Sequence, residues 1–265
     1  MMISHKYKFI FIHVQRTGGR SIKAAISKFD REAWDTIGHH QAESGKELYG
    51  AHLFARDVRE HLGDEIWNSY FKFSIVRNPW DRLVSWYNKI VINGPKTNYP
   101  HKLWQYFREH ATSFEAFLQC TDVIVEAHGE ARSFAFNQID HLGDSNGKIL
   151  VDYVGRFEQL SESFAEISRR IGLPDVRLPV THRVRHKHYS TYYSEETRRV
   201  VAERFQRDID TFGYQFEKSG VMANYLNEVI LGSETRFNSI KQSFKKHFPT
   251  LTPYYSRWKN FITRT

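Results

Sequence analysis

The segment that most constrains the fold is residues 9–26, FIFIHVQRTGGRSIKAAI. Phe9 to Val14 form a nearly unbroken apolar run, which suits a strand buried on both faces of a parallel sheet. Beyond the glycines, Ile22, Ala25, Ile26 and Phe29 recur at i, i+3, i+4 and i+7, one face of a helix. Gly18 and Gly19 therefore lie between a buried strand and a helix N-terminus. Glycine lets backbone approach an anion closely, and the N–H groups and dipole of a helix N-terminus favour negative charge. Arg16, Thr17, Arg20 and Ser21 add side-chain donors. A plain strand–turn–helix corner with solvated arginines fits the same residues, so the loop alone leaves the matter open.

The spacing departs from the nucleoside-triphosphate loop G-x-x-x-x-G-K-[ST]. Gly19-Arg20-Ser21 imitates its end, but Val14 stands where the first glycine belongs and Arg20 replaces the lysine. No later apolar strand clearly ends in a magnesium-holding aspartate. At 265 residues, 40% hydrophobic and 15% aromatic, the chain is long enough for one substantial globular domain. A net charge of +8 and a pI near 9.4 suggest an anionic partner: a nucleotide, a sulfated or acidic glycan, or a membrane surface. The single cysteine, Cys120, excludes an intrachain disulfide framework and disfavours a zinc-thiolate site. The 14 histidines show no metal-ligand spacing, and no metal is expected. MMISHKYK lacks the long apolar segment of a signal peptide or anchor. A complete chain is then expected to be cytoplasmic, and a trimmed one a lumenal domain.

Along the chain, residues 30–50 read as a polar loop and AHLFARDVREHLG as a short helix ending near Gly63. FKFSIV, 71–76, reads as a second buried strand, and NPWDRLVSWYNKIV as a helix with Pro79 in its first turn. A Gly/Pro loop follows at 93–100, then helices at 101–110 and 113–120. GKILVDYVGRF is a third strand. EQLSESFAEISRRIG is a helix with Leu160, Phe164, Ile167 and Ile171 on one face, stopped by Gly172. Residues 175–190 form a basic loop. SEETRRVVAERFQRDIDTFG is a helix with Val201, Phe205, Ile209 and Phe212 on one face. Strands alternating with helices imply an α/β fold, a central parallel sheet flanked by helices. The expected organisation is one domain over 1–220 and a basic, helix-prone extension over 221–265, whose mix of Lys/Arg and aromatics suits packing on the core or contact with a membrane.

FSIVRNPWDRLVSWYN, 73–88, repeats the strand–turn–helix logic of the first corner. Arg77 stands at the strand's end, where open α/β sheets bind ligands, and Ser85 two turns into the helix. With both corners in view the chain resembles the sulfotransferases that use 3′-phosphoadenosine-5′-phosphosulfate (PAPS). HVQRTGGRS is similar to their 5′-phosphosulfate loop, H-x-x-K-T-G-G-T-S, and VRNPWDRLVSWY to their 3′-phosphate motif, R-[DN]-P-x-x-R-x-x-S-x-Y. His13, Gln15 and Thr17-Gly18-Gly19 match the HIQKTGG form of heparan sulfate 6-O-sulfotransferases. DYVGRFEQL and YSTYYSEETRRVVAERFQRDIDTFGY resemble downstream blocks of carbohydrate sulfotransferases, so the likeness spans about residues 8–217.

The resemblance implies a P-loop-like sulfotransferase fold and transfer of a sulfuryl group from PAPS to a hydroxyl, of a carbohydrate, leaving PAP. It implies that Thr17, Gly18, Gly19 and Ser21, with Arg20, cradle the 5′-phosphosulfate, and that Arg77 and Ser85 hold the 3′-phosphate. Arg16 stands where the family has a lysine at the leaving phosphate, and Arg20 where it has threonine; Arg16 keeps the charge but presents a planar fork. The family's base is a histidine between the two motifs, and YGAHLFARDVREHLG places His52 there; His39, His40 and His61 are the other histidines of the interval. THRVRHKHY, 181–189, lies where the family has a loop near the nucleotide. The expected partner is a hydroxyl acceptor of glycan type and not nucleic acid. A P-loop-type nucleotide kinase and a non-catalytic nucleotide- or polyanion-binding module are the alternatives.

Overall fold

The computed structural model describes residues 1–33, 37–41, 47–50, 52–93, 102–120, 136–174, 178 and 187–217, with the side chains of 37–41, 47–50 and 102–105 outside that description. It divides into one compact unit of Met1–Val184 with Tyr193–Gln215, and a second of Arg185–Tyr192 with Phe216–Thr265. The expected extension at 221–265 lies outside the described residues.

The first unit is α/β. Its main sheet runs β1 (Met2–Ser4), β2 (Phe9–Ile12), β5 (Phe71–Val76) and β6 (Tyr153–Arg156), in the order β1-β2-β5-β6. The pairs β2/β5 and β5/β6 are parallel, as expected, whereas β1 pairs antiparallel with β2 and makes the sheet mixed. All four residues of β2 are buried, as its apolar run requires. Phe11 stacks on Phe73 at 5.0 Å between ring centroids, and Phe9 lies 5.6 Å from the same ring. Helix α1 (Gly19–Ile26) adds Ile22, Ala25 and Ile26 to this cluster.

Helix α2 (Ala55–Ser69) is broken at Gly63, where one helix was expected to end; a second helical stretch continues beyond the break. Helix α3 (Pro79–Tyr87) starts with Asn78 as cap, its side chain accepting from Trp80 N, and Pro79 at N1. A π-turn over Asn88–Ile92 follows. Helices α4 (Lys102–His110) and α5 (Phe114–Cys120) fall where expected, and a short α6 (Gln138–Leu142) was not expected. Helix α7 (Leu160–Ile171) buries Phe164, Ile167 and Ile171 against the core. The single helix expected at 194–213 is two, α8 (Glu195–Arg204) and α9 (Gln206–Phe212), divided at Phe205. Part of the expected polar loop at 30–50 is a hairpin of β3 (Ile37–Gln41) and β4 (Glu47–Gly50). The third strand is shorter than read, its apolar lead-in forming only an isolated bridge, Gly143 with Ile149. No described helix is long and apolar enough to cross a membrane.

Because β2, β5 and β6 are parallel and in register, Ile12 opposite Ser74 and Val76 opposite Arg156, their following segments leave from one edge of the sheet. That edge is where such folds build sites.

Candidate active site

The loop from His13 to Ser21 is held by its own atoms and by α3. Thr17 Oγ1 donates to Val14 O at 2.7 Å. Arg16 adopts a left-handed backbone, φ 67°, uncommon for a residue with a side chain. Gly18, φ 84°, is the N-cap of α1, and its missing side chain matters twice, since a Cβ would lie 2.7 Å from Leu160. A Cβ on Gly19 would lie 2.1 Å from the His13 ring, so the loop lies directly over that imidazole. Gly18 offers α1 no side-chain cap and no acidic residue lies in its first turn; Ser21 N donates to Gly18 O at 3.0 Å, and the positive end of the helix dipole lies at the loop.

The two corners meet through arginines. Arg16 Nε and Nη2 both donate to Ser85 Oγ, at 3.0 and 2.7 Å. Arg77 Nη1 donates to Arg16 O at 3.1 Å, while its Nε and Nη2 hold Asp81 Oδ2 at 2.8 and 2.7 Å. The Arg77 guanidinium also lies over the Phe157 ring, 3.9 Å from its centroid. Arg16 has no carboxylate within ion-pair distance among the described residues. Burial, then the charges of Arg77 and Arg20, push its guanidinium down to about 9, so it remains a cation at neutral pH. Arg20 is exposed at the first turn of α1, and Ser21 is buried there.

His52 stands beside this loop. Its Nδ1 lies 2.9 Å from His13 O. A carbonyl only accepts, so Nδ1 carries the proton and Nε2 the lone pair. The rings of His13 and His52 are 4.5 Å apart. Burial is the largest force on both: it pushes His52 down to about 3, and His13, further depressed by His52, well below the usual range. Both imidazoles are therefore neutral at pH 7. His13 Nδ1 is buried with no hydrogen-bond partner among the described residues.

The structure thus brings Arg16, Thr17, Gly18, Gly19, Ser21, Arg77, Ser85 and His52 to one sheet edge. His61 lies in α2, and His39 and His40 lie in β3, their side chains outside the described residues. Of THRVRHKHY, only Lys187, His188 and Tyr189 are described, in the second unit. Arg156 and Glu158, at and just after the end of β6, tie it to other segments. Glu158 Oε1 accepts from Asn78 N at 2.7 Å, and the Arg156 guanidinium donates to Phe212 O.

Arg82, Gln138 and Asp208 were not singled out from sequence. Arg82 is 2% exposed and donates to Gln15 O at 3.2 Å, tying α3 to the loop. Its signal is present, the second arginine of the R-x-P-x-x-R spacing; Gln138 and Asp208 carry no comparable mark.

The described arrangement concentrates cationic and N–H donors beside a neutral imidazole, chemistry suited to a polyanionic substrate and to proton removal. Comparison with known proteins agrees. The chain is 24% identical over 245 residues to carbohydrate sulfotransferase 10 of Xenopus laevis, covering 81% of this chain and 67% of that protein. It is 29% identical over 124 residues to an uncharacterized protein of Archaeoglobus fulgidus, 46% of this chain and 86% of that one. No solved structure matches. The sulfotransferase family matches residues 1–215, the whole α/β unit with both arginine corners, and the chain belongs to that family as a sulfotransferase enzyme.

Proposed function

We propose that the enzyme transfers a sulfuryl group from PAPS to a hydroxyl of a carbohydrate, with His52 as the base. Arg16 carries this reading: a half-buried guanidinium with no carboxylate within ion-pair distance among the described residues, held by Ser85 of α3. Such a group is destabilised until an anion arrives, and the loop fits one. Carbohydrate sulfotransferase 10, by its name, supports a glycan as the acceptor class.

Bound there, PAPS supplies an activated sulfuryl group on a phosphate leaving group. Thr17, Gly18, Gly19, Arg20 and Ser21 hold the phosphosulfate, and Arg77 and Ser85 the 3′-phosphate. Arg77 commits Nε and part of Nη2 to Asp81, but each terminal nitrogen carries two N–H groups, so donors remain for a phosphate. Arg16 opposes the charge that grows on the leaving phosphate, which is where fixed cations lower a barrier most. His52 Nε2 takes the acceptor's proton as the new O–S bond forms and the old S–O bond breaks. No metal is required by this scheme.

Thermal stabilisation by PAP against ATP with magnesium, followed by sulfate transfer from labelled PAPS to a panel of glycans, lipids and small alcohols, tests the reading. PAP is expected to stabilise the chain well beyond ATP, and transfer to be strongest on a glycan. Absence of PAP stabilisation sinks the donor assignment, and transfer confined to lipids or small alcohols sinks the acceptor class.

A further inference from the structure

Gln138, at the start of α6, is fully buried, as is Asp208 of α9. The Gln138 side chain grips the main chain of Arg77 on both sides. Its Oε1 accepts from Arg77 N at 2.8 Å, and its Nε2 donates to Arg77 O at 2.7 Å. Those two atoms belong to the two peptide planes that flank the Arg77 Cα, so together they fix the direction in which its side chain departs. The next N–H, that of Asn78, is held by Glu158 Oε1 at 2.7 Å.

Asp208 fixes the amide in turn. Its Oδ2 accepts from Gln138 N at 2.8 Å and from Gln138 Nε2 at 3.2 Å, and its Oδ1 from Ile139 N at 2.9 Å. Rotating the Gln138 amide by half a turn would set its oxygen against both the Asp208 carboxylate and Arg77 O. Only one orientation satisfies every atom. We propose that Gln138, oriented by Asp208, is the positioning residue for Arg77 and thereby sets how strongly the site distinguishes a 3′-phosphate. The proposal rests on the donor reading above.

A carboxyl in place of the amide separates positioning from mere packing. Protonated, Gln138→Glu offers one donor and one acceptor and can grip Arg77 as the amide does. Ionised, it offers only acceptors. The charged groups that face it are Asp208 of α9, Arg82 of α3, which acts on Asp208, and Arg77 beyond β5. Burial beside Asp208 favours the protonated form, so this carboxyl titrates above the usual carboxylate range.

Calorimetry on the full chain gives the affinity ratio of PAP to AMP, which isolates the 3′-phosphate, for wild type and variant at each pH. The expected ratio for Gln138→Glu matches wild type at about pH 6 and falls about tenfold below it at about pH 8.5. A ratio that follows wild type at both pH values overturns the proposal. Should Gln138→Glu fail to fold, Gln138→Met, of similar shape but without donors, is measured in the same way. Its ratio is expected to be low at both pH values, and a wild-type ratio overturns the proposal. A wild-type chain that binds PAP no better than AMP removes the donor reading and this inference with it, an outcome distinct from a variant that merely behaves like wild type.

Discussion

The Arg16 guanidinium donates to the Ser85 hydroxyl through both Nε and Nη2, at 3.0 and 2.7 Å, joining positions 69 residues apart. This bond ties the loop after β2 to helix α3 and holds the cation in place before any substrate arrives. Removing the cation should therefore affect turnover more than binding. Arg16→Ala is expected to lower kcat about 10- to 100-fold while PAP affinity changes by less, and Arg16→Lys to retain most activity. Steady-state kinetics with PAP displacement checks both; a loss confined to binding, with kcat intact, removes the transition-state role.

Arg77 carries the 3′-phosphate assignment. Arg77→Ala should weaken PAP by roughly 10- to 150-fold, about 1.5–3 kcal/mol for a charge-assisted contact, and adenosine-5′-phosphosulfate only a few-fold. Asp81→Asn leaves Arg77 without its carboxylate, the ion pair at 2.7 Å, and should tighten PAP. Equal losses for the two ligands in Arg77→Ala would show that Arg77 does not read that phosphate.

Gly19 leaves no room for a side chain, since a Cβ would meet the His13 ring at 2.1 Å. The His13 ring is packed under the loop and stacked on Phe11 at 5.4 Å, so the backbone must move instead. Gly19→Ala is expected to cost about 1–3 kcal/mol of stability, the usual range for overpacking, and to weaken PAP as the loop shifts. Urea denaturation and calorimetry report the two effects, and an unperturbed variant contradicts the packing.

Both corners are legible because their signals are local. FKFSIV is continuously apolar, Asn78 and Pro79 mark a helix start, and the two glycines stand where a strand must turn into α1. What escapes the sequence is non-local or lacks a period. β1 has three residues, too few for a pattern, and the hairpin strands IGHHQ and ELYG are short and show no sustained apolar–polar alternation. The division at Phe205 is invisible because Val201, Phe205, Ile209 and Phe212 keep helical spacing across it. Gln138 acts on main-chain atoms 61 positions away through an orientation set by a residue 70 positions away, and no local pattern encodes that.

The two neutral histidines should make the fold acid-sensitive. His52 is depressed to about 3, chiefly by burial, and His13 is also lowered. An unfolded histidine titrates near 6.5, so between about pH 6.5 and 3 the unfolded chain binds more protons than the folded one. Stability is then fully present above about pH 6.5 and falls as pH drops, by at most about 1.4 kcal/mol per pH unit for each histidine. Urea titrations at about pH 7.5 and pH 5 measure the slope. His52→Gln should flatten it by one histidine's share; an unchanged slope contradicts the depressed titration of His52.

The same hydrogen bond that fixes the His52 tautomer defines its chemistry. With Nδ1–H given to His13 O at 2.9 Å, only Nε2 can accept a proton, and it is unprotonated at neutral pH. A histidine near 3 is a weak base, but the nearby phosphates of a bound nucleotide raise it, so its basicity should increase with donor binding. Imidazole ¹⁵N spectra are expected to show the Nδ1–H tautomer in the ligand-free enzyme and an upward shift of the His52 titration with PAP. His52→Ala should keep PAP affinity within a few-fold while kcat falls about 10²- to 10⁴-fold, the range for a positioned acid–base group. The acidic limb of the kcat profile should disappear with it, because the proton acceptor of the reaction is then gone. A His52→Ala enzyme that turns over at the wild-type rate with the same acidic limb would remove His52 as the base, and His39, His40 and His61 would be replaced next.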